Sequence, residues 1–117
     1  MFPYSRNKFS AKKVIIDGIT FDSQKEARRY NELRLLERAG EIKDLELQPR
    51  FLLQDAFKRA GKTHRKIEYV ADFRYTNASG EQIVEDVKSP PTRKHPVYRL
   101  KKKLLLKRYP HLTFLET

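Results

Sequence analysis

Lys66-Ile67-Glu68-Tyr69-Val70-Ala71-Asp72-Phe73-Arg74-Tyr75-Thr76 alternates two kinds of side chain along its length. Ile67, Tyr69, Ala71, Phe73 and Tyr75 fall on one side; Lys66, Glu68, Val70, Asp72 and Arg74 fall on the other. A period of two predicts a β-strand with one buried face. Asn77-Ala78-Ser79-Gly80 follows as a turn, since Asn and Gly accept backbone conformations that other residues resist. Glu81–Lys88 is the expected return strand.

This hairpin serves as a ruler. With its turn centred on Ser79, paired residues have numbers summing to 158, so Asp72 faces Asp86 with Cβ atoms about 4.5–5.5 Å apart. Lys88 lies two residues past Asp86 and projects from the same face. Facing carboxylates repel, and a cation or a shared proton must offset the repulsion. A divalent metal is the natural cation, and oxygen ligands favour Mg²⁺ or Mn²⁺. A slip of one residue would put the two acids on opposite faces. Taken singly, either Asp on a polar strand face is an ordinary solvated residue, and Lys88 would simply pair with one of them. The surroundings argue otherwise: Ile83-Val84 and Val87 mark a buried strand, where charged groups require a reason.

Outward from the hairpin, Val14-Ile15-Ile16 and Ile19-Thr20-Phe21 flank Asp17-Gly18, the pattern of a two-residue β-turn. Asp22-Ser23 offers an N-cap for a helix running to about Ala39 and closed by Gly40. Short extended segments are expected at Ile42–Leu47 and Arg50–Gln54, with Pro49 between them. Residues 55–65 read as a basic connection, and Ser89-Pro90-Pro91-Thr92 as a loop. Pro96 suits the first turn of a helix ending before Pro110, and His111–Glu116 suits a last strand. The order β-hairpin, α, several β, α, β predicts an α/β (α+β) domain over residues 13–117, built on a mixed sheet flanked by helices, with residues 1–12 as a basic N-terminal arm.

The 117 residues carry 26 Lys and Arg against 15 Asp and Glu, a net charge of +11. Residues 1–13 carry +4 and residues 88–117 carry +8, while residues 14–87 sum to −1. Such basic blocks suit a polyanion, and nucleic acid is the commonest in a cytoplasm. Aromatics at 11%, including 7 Phe and 6 Tyr, argue against a disordered polybasic chain. The absence of cysteine excludes disulfides, thiolate zinc sites and iron–sulfur clusters. No apolar run reaches the roughly 18 residues of a membrane span, nor does one follow the basic N-terminus as in a signal peptide. A cytoplasmic location without membrane association is therefore expected.

Glu26 is a third carboxylate of interest, with two readings. Ser23-Gln24-Lys25-Glu26 fits a capping box, in which this Glu bonds the N-cap amide. Tyr30 and Leu33 at i+4 and i+7 also place Glu26 on the inward face, where it could lean over the sheet and complete a metal site.

Together, Glu26 on the first helix, Asp72 on one strand and Asp86-Val87-Lys88 on the next resemble the PD-(D/E)XK nuclease superfamily. Phe21-Asp22-Ser23 with Glu26-Ala27, Leu47-Gln48-Pro49, Ala71-Asp72-Phe73 and Glu85-Asp86-Val87-Lys88 resemble a family of short phage-encoded nucleases. That family is similar to archaeal-type Holliday-junction resolvases and to the endonuclease subunits of some heteromeric transposases. The resemblance spans residues 13–117 and implies a restriction-endonuclease-like mixed sheet with the acids clustered at one edge. It implies that Asp72 and Asp86 bind Mg²⁺, that Glu26 assists directly or through water, and that Lys88 orients the attacking water or stabilises phosphate charge. Gln48 matches a polar position near such sites. Ala71 stands where the eponymous motif has Pro. Glu85, beside Asp86, is expected to face the other way.

The implied activity is Mg²⁺-dependent endonucleolytic cleavage of DNA, on branched or duplex substrates, in phage DNA replication, recombination or packaging. One site cuts one strand, so paired nicks favour a homodimer. No Cys nucleophile or G-x-S-x-G competes, and His64, His95 and His111 lack metal-ligand spacing. On the last helix Val97, Leu100 and Leu104 form one apolar stripe, with Tyr98, Leu105 and Tyr109 close by and Lys101 among the apolar positions. Arg99, Lys102 and Lys103 occupy much of the opposite side, the pattern of an amphipathic helix. Arg93 and Lys94 follow Lys88 closely, and these five cations are the expected DNA contacts. Two other classes remain: a non-catalytic nucleic-acid-binding module whose acids are structural, and an RNA-binding or ribosome-associated protein.

Overall fold

A computed structural model gives the structure of residues 13–117; the expected N-terminal arm, residues 1–12, lies outside the described residues. The elements are β1 (Val14–Ile16), β2 (Ile19–Phe21), α1 (Gln24–Arg38), β3 (Ile42–Leu47), β4 (Arg50–Gln54), β5 (Phe57–Arg59), β6 (Lys62–His64), β7 (Ile67–Val70), β8 (Phe73–Asn77), β9 (Gln82–Asp86), α2 (Pro90–Arg93), α3 (Pro96–Arg108) and β10 (Thr113–Glu116). This is an α+β fold with a mixed sheet, as the element order predicts. The sheet runs β10-β9-β8-β3, with β10 parallel to β9 and the other neighbours antiparallel. Helix α1 covers one face through Ala27, Tyr30 and Leu33, which pack with Phe73, Tyr75 and Ile83. Helix α3 covers the other, where Leu105 packs with Val84 and Tyr69.

Local chemistry accounts for most boundaries. Asp17 and Gly18 adopt φ of 53° and 75° and close the β1–β2 hairpin in the register Ile16↔Ile19. The Ser23 hydroxyl accepts the Glu26 amide at 3.1 Å, and Gly40 takes φ 79° just past α1. The Asn77 side chain accepts the amides of Ser79 and Glu81, clamping the β8–β9 turn. The resulting register pairs Phe73↔Glu85, Tyr75↔Ile83 and Thr76↔Gln82. Every pair sums to 158.

Three sequence expectations need correction. The strand expected over residues 66–76 is two strands: β7 pairs with β4, β8 pairs with β3 and β9, and a bend at Asp72 separates them. Pro49, which has no N–H to donate, lies in the opposing chain at this break, where its carbonyl accepts the Ala71 amide at 3.1 Å. Tyr69 and Ala71 consequently join one core while Phe73 and Tyr75 join the other, and Ile67 is exposed. Residues 55–65, expected as a basic connection, fold into the β5–β6 hairpin. Residues 89–92 begin a single helical turn, α2, with both prolines in its first positions, where no N–H is required.

On α3, Val97, Leu100 and Leu104 are 53%, 58% and 43% exposed, whereas Leu105 is 2% exposed. The inward face is set by Tyr98 and Leu105, flanked by half-buried Lys101 and Lys102.

Candidate active site

The site lies where β8 begins and β9 ends, between the N-terminal ends of α1 and α3. The bend at Asp72 releases its side chain from the ladder, and the backbone there bonds across the two strands. The Asp72 amide donates to Glu85 O at 3.2 Å and to Asp86 Oδ1 at 2.9 Å. The Val87 amide donates to Asp72 Oδ2 at 2.7 Å. The two carboxylates thus face each other across the hairpin, as the register requires, each fixed by the other strand's backbone. Asp86 is fully buried, and its Oδ2 accepts the hydroxyl of buried Tyr69. Lys88 Nζ stands 3.7 Å from Asp86 Oδ1 and 5.4 Å from the centre of the Tyr98 ring.

Glu26 comes to this cluster from the first turn of α1. Burial, with the negative charges of Asp72 and Asp22, raises its pKa to about 7. That of Asp72 rises to about 6, first through burial, despite the Val87 amide that favours its charged form. Burial also raises Asp86, against the Tyr69 hydroxyl and Lys88, which favour its charged form. Three carboxyl groups held above their ordinary values mark a site short of positive charge. The Ser23 hydroxyl fulfils one half of the capping box. Among the described residues no reciprocal bond joins the Ser23 amide to the Glu26 carboxylate.

Among the described residues no group of three or more His, Cys, Asp or Glu side chains is placed so that it could hold a metal ion by itself. The donor set nevertheless fits a hard cation. Mg²⁺ keeps several waters and is bound through one or two carboxylates, and Asp72 offers Oδ1 while Asp86 and Glu26 lie beside it.

Gln48 reaches the site through its backbone. Its amide donates to Asp72 O at 2.9 Å, at φ 51°, while its side chain is exposed. Glu85 does face the other way: fully buried, it accepts Arg29 Nε at 2.5 Å and the Tyr75 hydroxyl at 2.8 Å. Of the five expected DNA-contacting cations, Arg93 and Lys102 pair with Glu116 at 3.6 and 3.3 Å. Lys94, Arg99 and Lys103 are exposed and make no ion pair among the described residues. Arg93, Arg99, Lys102 and Lys103 share an open concavity of about 260 Å³ with Tyr98 and Glu116.

Sequence reasoning missed Tyr69 and Tyr98. Alternation marks Tyr69 only as part of the buried strand face, although a buried tyrosine hydroxyl requires a partner, and Asp86 is that partner. Tyr98 donates to Glu116 and underlies Lys88.

Over residues 6–116 the chain matches the model of the family described as "Protein of unknown function (DUF1064)", and it belongs to that family. No curated protein and no solved structure matches it.

Proposed function

We propose that this member of the DUF1064 family is a Mg²⁺- or Mn²⁺-dependent DNA endonuclease. The observation that carries the reading is the interlocked Asp72–Asp86 pair with Lys88 3.7 Å from Asp86, in a chain of net charge +11. The resemblance to the PD-(D/E)XK superfamily supports it, as does a mixed sheet that gathers these acids at one end between two helices. Asp72 and Asp86, with Glu26, would hold the cation, which when bound supplies positive charge at the phosphate and acidifies a water.

The chain's own groups do the remaining work. Tyr69 and the Asp72 amide fix the Asp86 carboxylate, so its orientation does not depend on substrate. Lys88, two residues past the end of β9, would place an ammonium where charge develops on a scissile phosphate. Lys94, Arg99 and Lys103 are free to meet flanking phosphates, while Arg93 and Lys102 would exchange Glu116 for them. Branched DNA such as a four-way junction is the favoured substrate, cut by a homodimer that pairs its nicks. The exposed Val97, Leu100 and Leu104 stripe is a candidate contact for that second copy. Among the described residues no helix is long and apolar enough to cross a membrane.

The test uses labelled linear, flap and four-way-junction DNA with Mg²⁺, Mn²⁺ or EDTA, alongside Asp86→Asn. Cleavage that requires metal and disappears in the variant establishes the nuclease. Tight binding without cleavage under every condition favours the non-catalytic binding module.

A further inference from the structure

The β5–β6 hairpin takes no part in either core. Phe57↔His64, Lys58↔Thr63 and Arg59↔Lys62 pair only with one another, and all six residues are exposed. Ala60 and Gly61 close it at φ 52° and 77°, the conformation that matches the strands' twist. Pairing places Phe57, Arg59, Lys62 and His64 on one face and Lys58 with Thr63 on the other. The Phe57 and His64 rings stack at 4.7 Å and 13° at the base. Between Asp55 and Glu68 there is no carboxylate. Lys58, Arg59, Lys62 and Arg65 make no ion pair among the described residues.

Physical chemistry does not favour this element alone. An isolated two-stranded hairpin is marginal in water, and Arg59 opposite Lys62 sets like charges face to face. A polyanion removes that penalty. Lysines can also serve only to keep an exposed strand edge from pairing with another chain, but that purpose does not call for cations on both faces.

We infer that the β5–β6 hairpin is an arm that enters the major groove of duplex DNA beside the candidate active site. The inference rests on the nucleic-acid part of the proposed function. A major groove about 12 Å wide and 8.5 Å deep admits a two-stranded ribbon, and three residues per strand reach about 10 Å. Phosphates then line both sides of the arm, matching cations on both of its faces. Strand β7 leads from the hairpin towards Asp72, so tip and site are separated by at most about 40 Å of chain. That is close to one turn of B-form DNA, about 34–36 Å, so the arm would engage the duplex within roughly a turn of the cut.

The test is a salt titration of DNA binding in EDTA by fluorescence anisotropy, using a 30-bp duplex. It compares the full chain, the triple variant K58A/R59A/K62A, and R38A/K43A, which removes exposed charge from another surface. Thermal melting serves as the folding control, because the substituted side chains pack against neither core. The expected result is an affinity loss of at least tenfold for the triple variant, with the log–log salt slope smaller by about 2–3. R38A/K43A should change the slope little. Equal binding and slope in the full chain and the triple variant would overturn the inference, as would an equal loss per charge in R38A/K43A. No binding of the duplex by the full chain would overturn the arm and the nucleic-acid reading together. Because the measurement excludes metal, a chain that binds without cleaving defeats only the nuclease reading; one that cleaves while the triple variant binds normally defeats only the arm.

Discussion

The buried Asp86 carboxylate depends on donors from three directions: the Tyr69 hydroxyl, the Asp72 amide and the Lys88 ammonium. Tyr69→Phe removes one and leaves Oδ2 buried without it, at a cost of about 1–3 kcal/mol, measurable by urea denaturation. The same variant should weaken metal-dependent cleavage by loosening Asp86. Asp72→Asn, Asp86→Asn and Lys88→Ala should each reduce cleavage to background while DNA affinity in EDTA stays within about threefold, since phosphate contacts carry most of the affinity. The facing of Asp72 and Asp86 was legible in the sequence because Asn77 and Gly80 bound a turn short enough to fix the register. Tyr69 was not legible as a site residue, because the core and the site share its strand face and alternation reports only that the face is buried.

Helix α3 shows where pattern reading fails at the scale of an element. Its three aligned aliphatic residues at 97, 100 and 104 form the exposed stripe, while the inward side carries buried Leu105 and half-buried Tyr98, Lys101 and Lys102. Long cationic side chains can cover apolar surface while keeping their charge in water, so an aligned aliphatic stripe need not be the buried face, and the pattern, with Lys101 among its apolar positions, does not decide between the faces. Leu105→Ala should therefore cost about 2–5 kcal/mol, whereas Leu100→Ala should stay within about 0.5 kcal/mol in the monomer; chemical denaturation separates them. On α1 the Arg29–Glu85 pair crosses to β9 beneath the site. Arg29→Met strands a fully buried carboxylate and should destabilise by about 3–5 kcal/mol. Combined with Glu85→Gln, much of that loss should be recovered in the same denaturation series, because the uncompensated charge is gone.

Across the whole molecule, summed charge hid one feature and exposed another. Residues 14–87 total −1, a sum in which the basic stretch 55–65 is cancelled by carboxylates on other elements; its charge was legible locally, its folding into the β5–β6 hairpin was not. The basic C-terminal region was legible as a block, but Glu116 partly neutralises it by pairing with Arg93 and Lys102. The carboxyl cluster ties the site to global stability. Glu26 near 7 and Asp72 near 6, with Asp86 also raised, mean that the folded chain binds protons more tightly than the unfolded one. The cluster's contribution to stability is therefore greatest below the unfolded values near 4–4.5 and is lost as pH rises towards 7. After discounting for screening and coupling, the loss is on the order of 2 kcal/mol, or about 10 °C in Tm. Glu116, lowered by the Tyr98 hydroxyl and Lys102, acts in the opposite sense only under about pH 4.5. Melting curves in EDTA should show this fall, and Glu26→Gln should flatten its upper part. A divalent cation that binds only the folded, ionised cluster adds stability that grows with pH, so Mg²⁺ or Mn²⁺ should restore Tm at pH 7.5 and have little effect at pH 5. A Tm at pH 7.5 that does not respond to either cation would remove the metal from the proposed site, whatever the chain does to DNA.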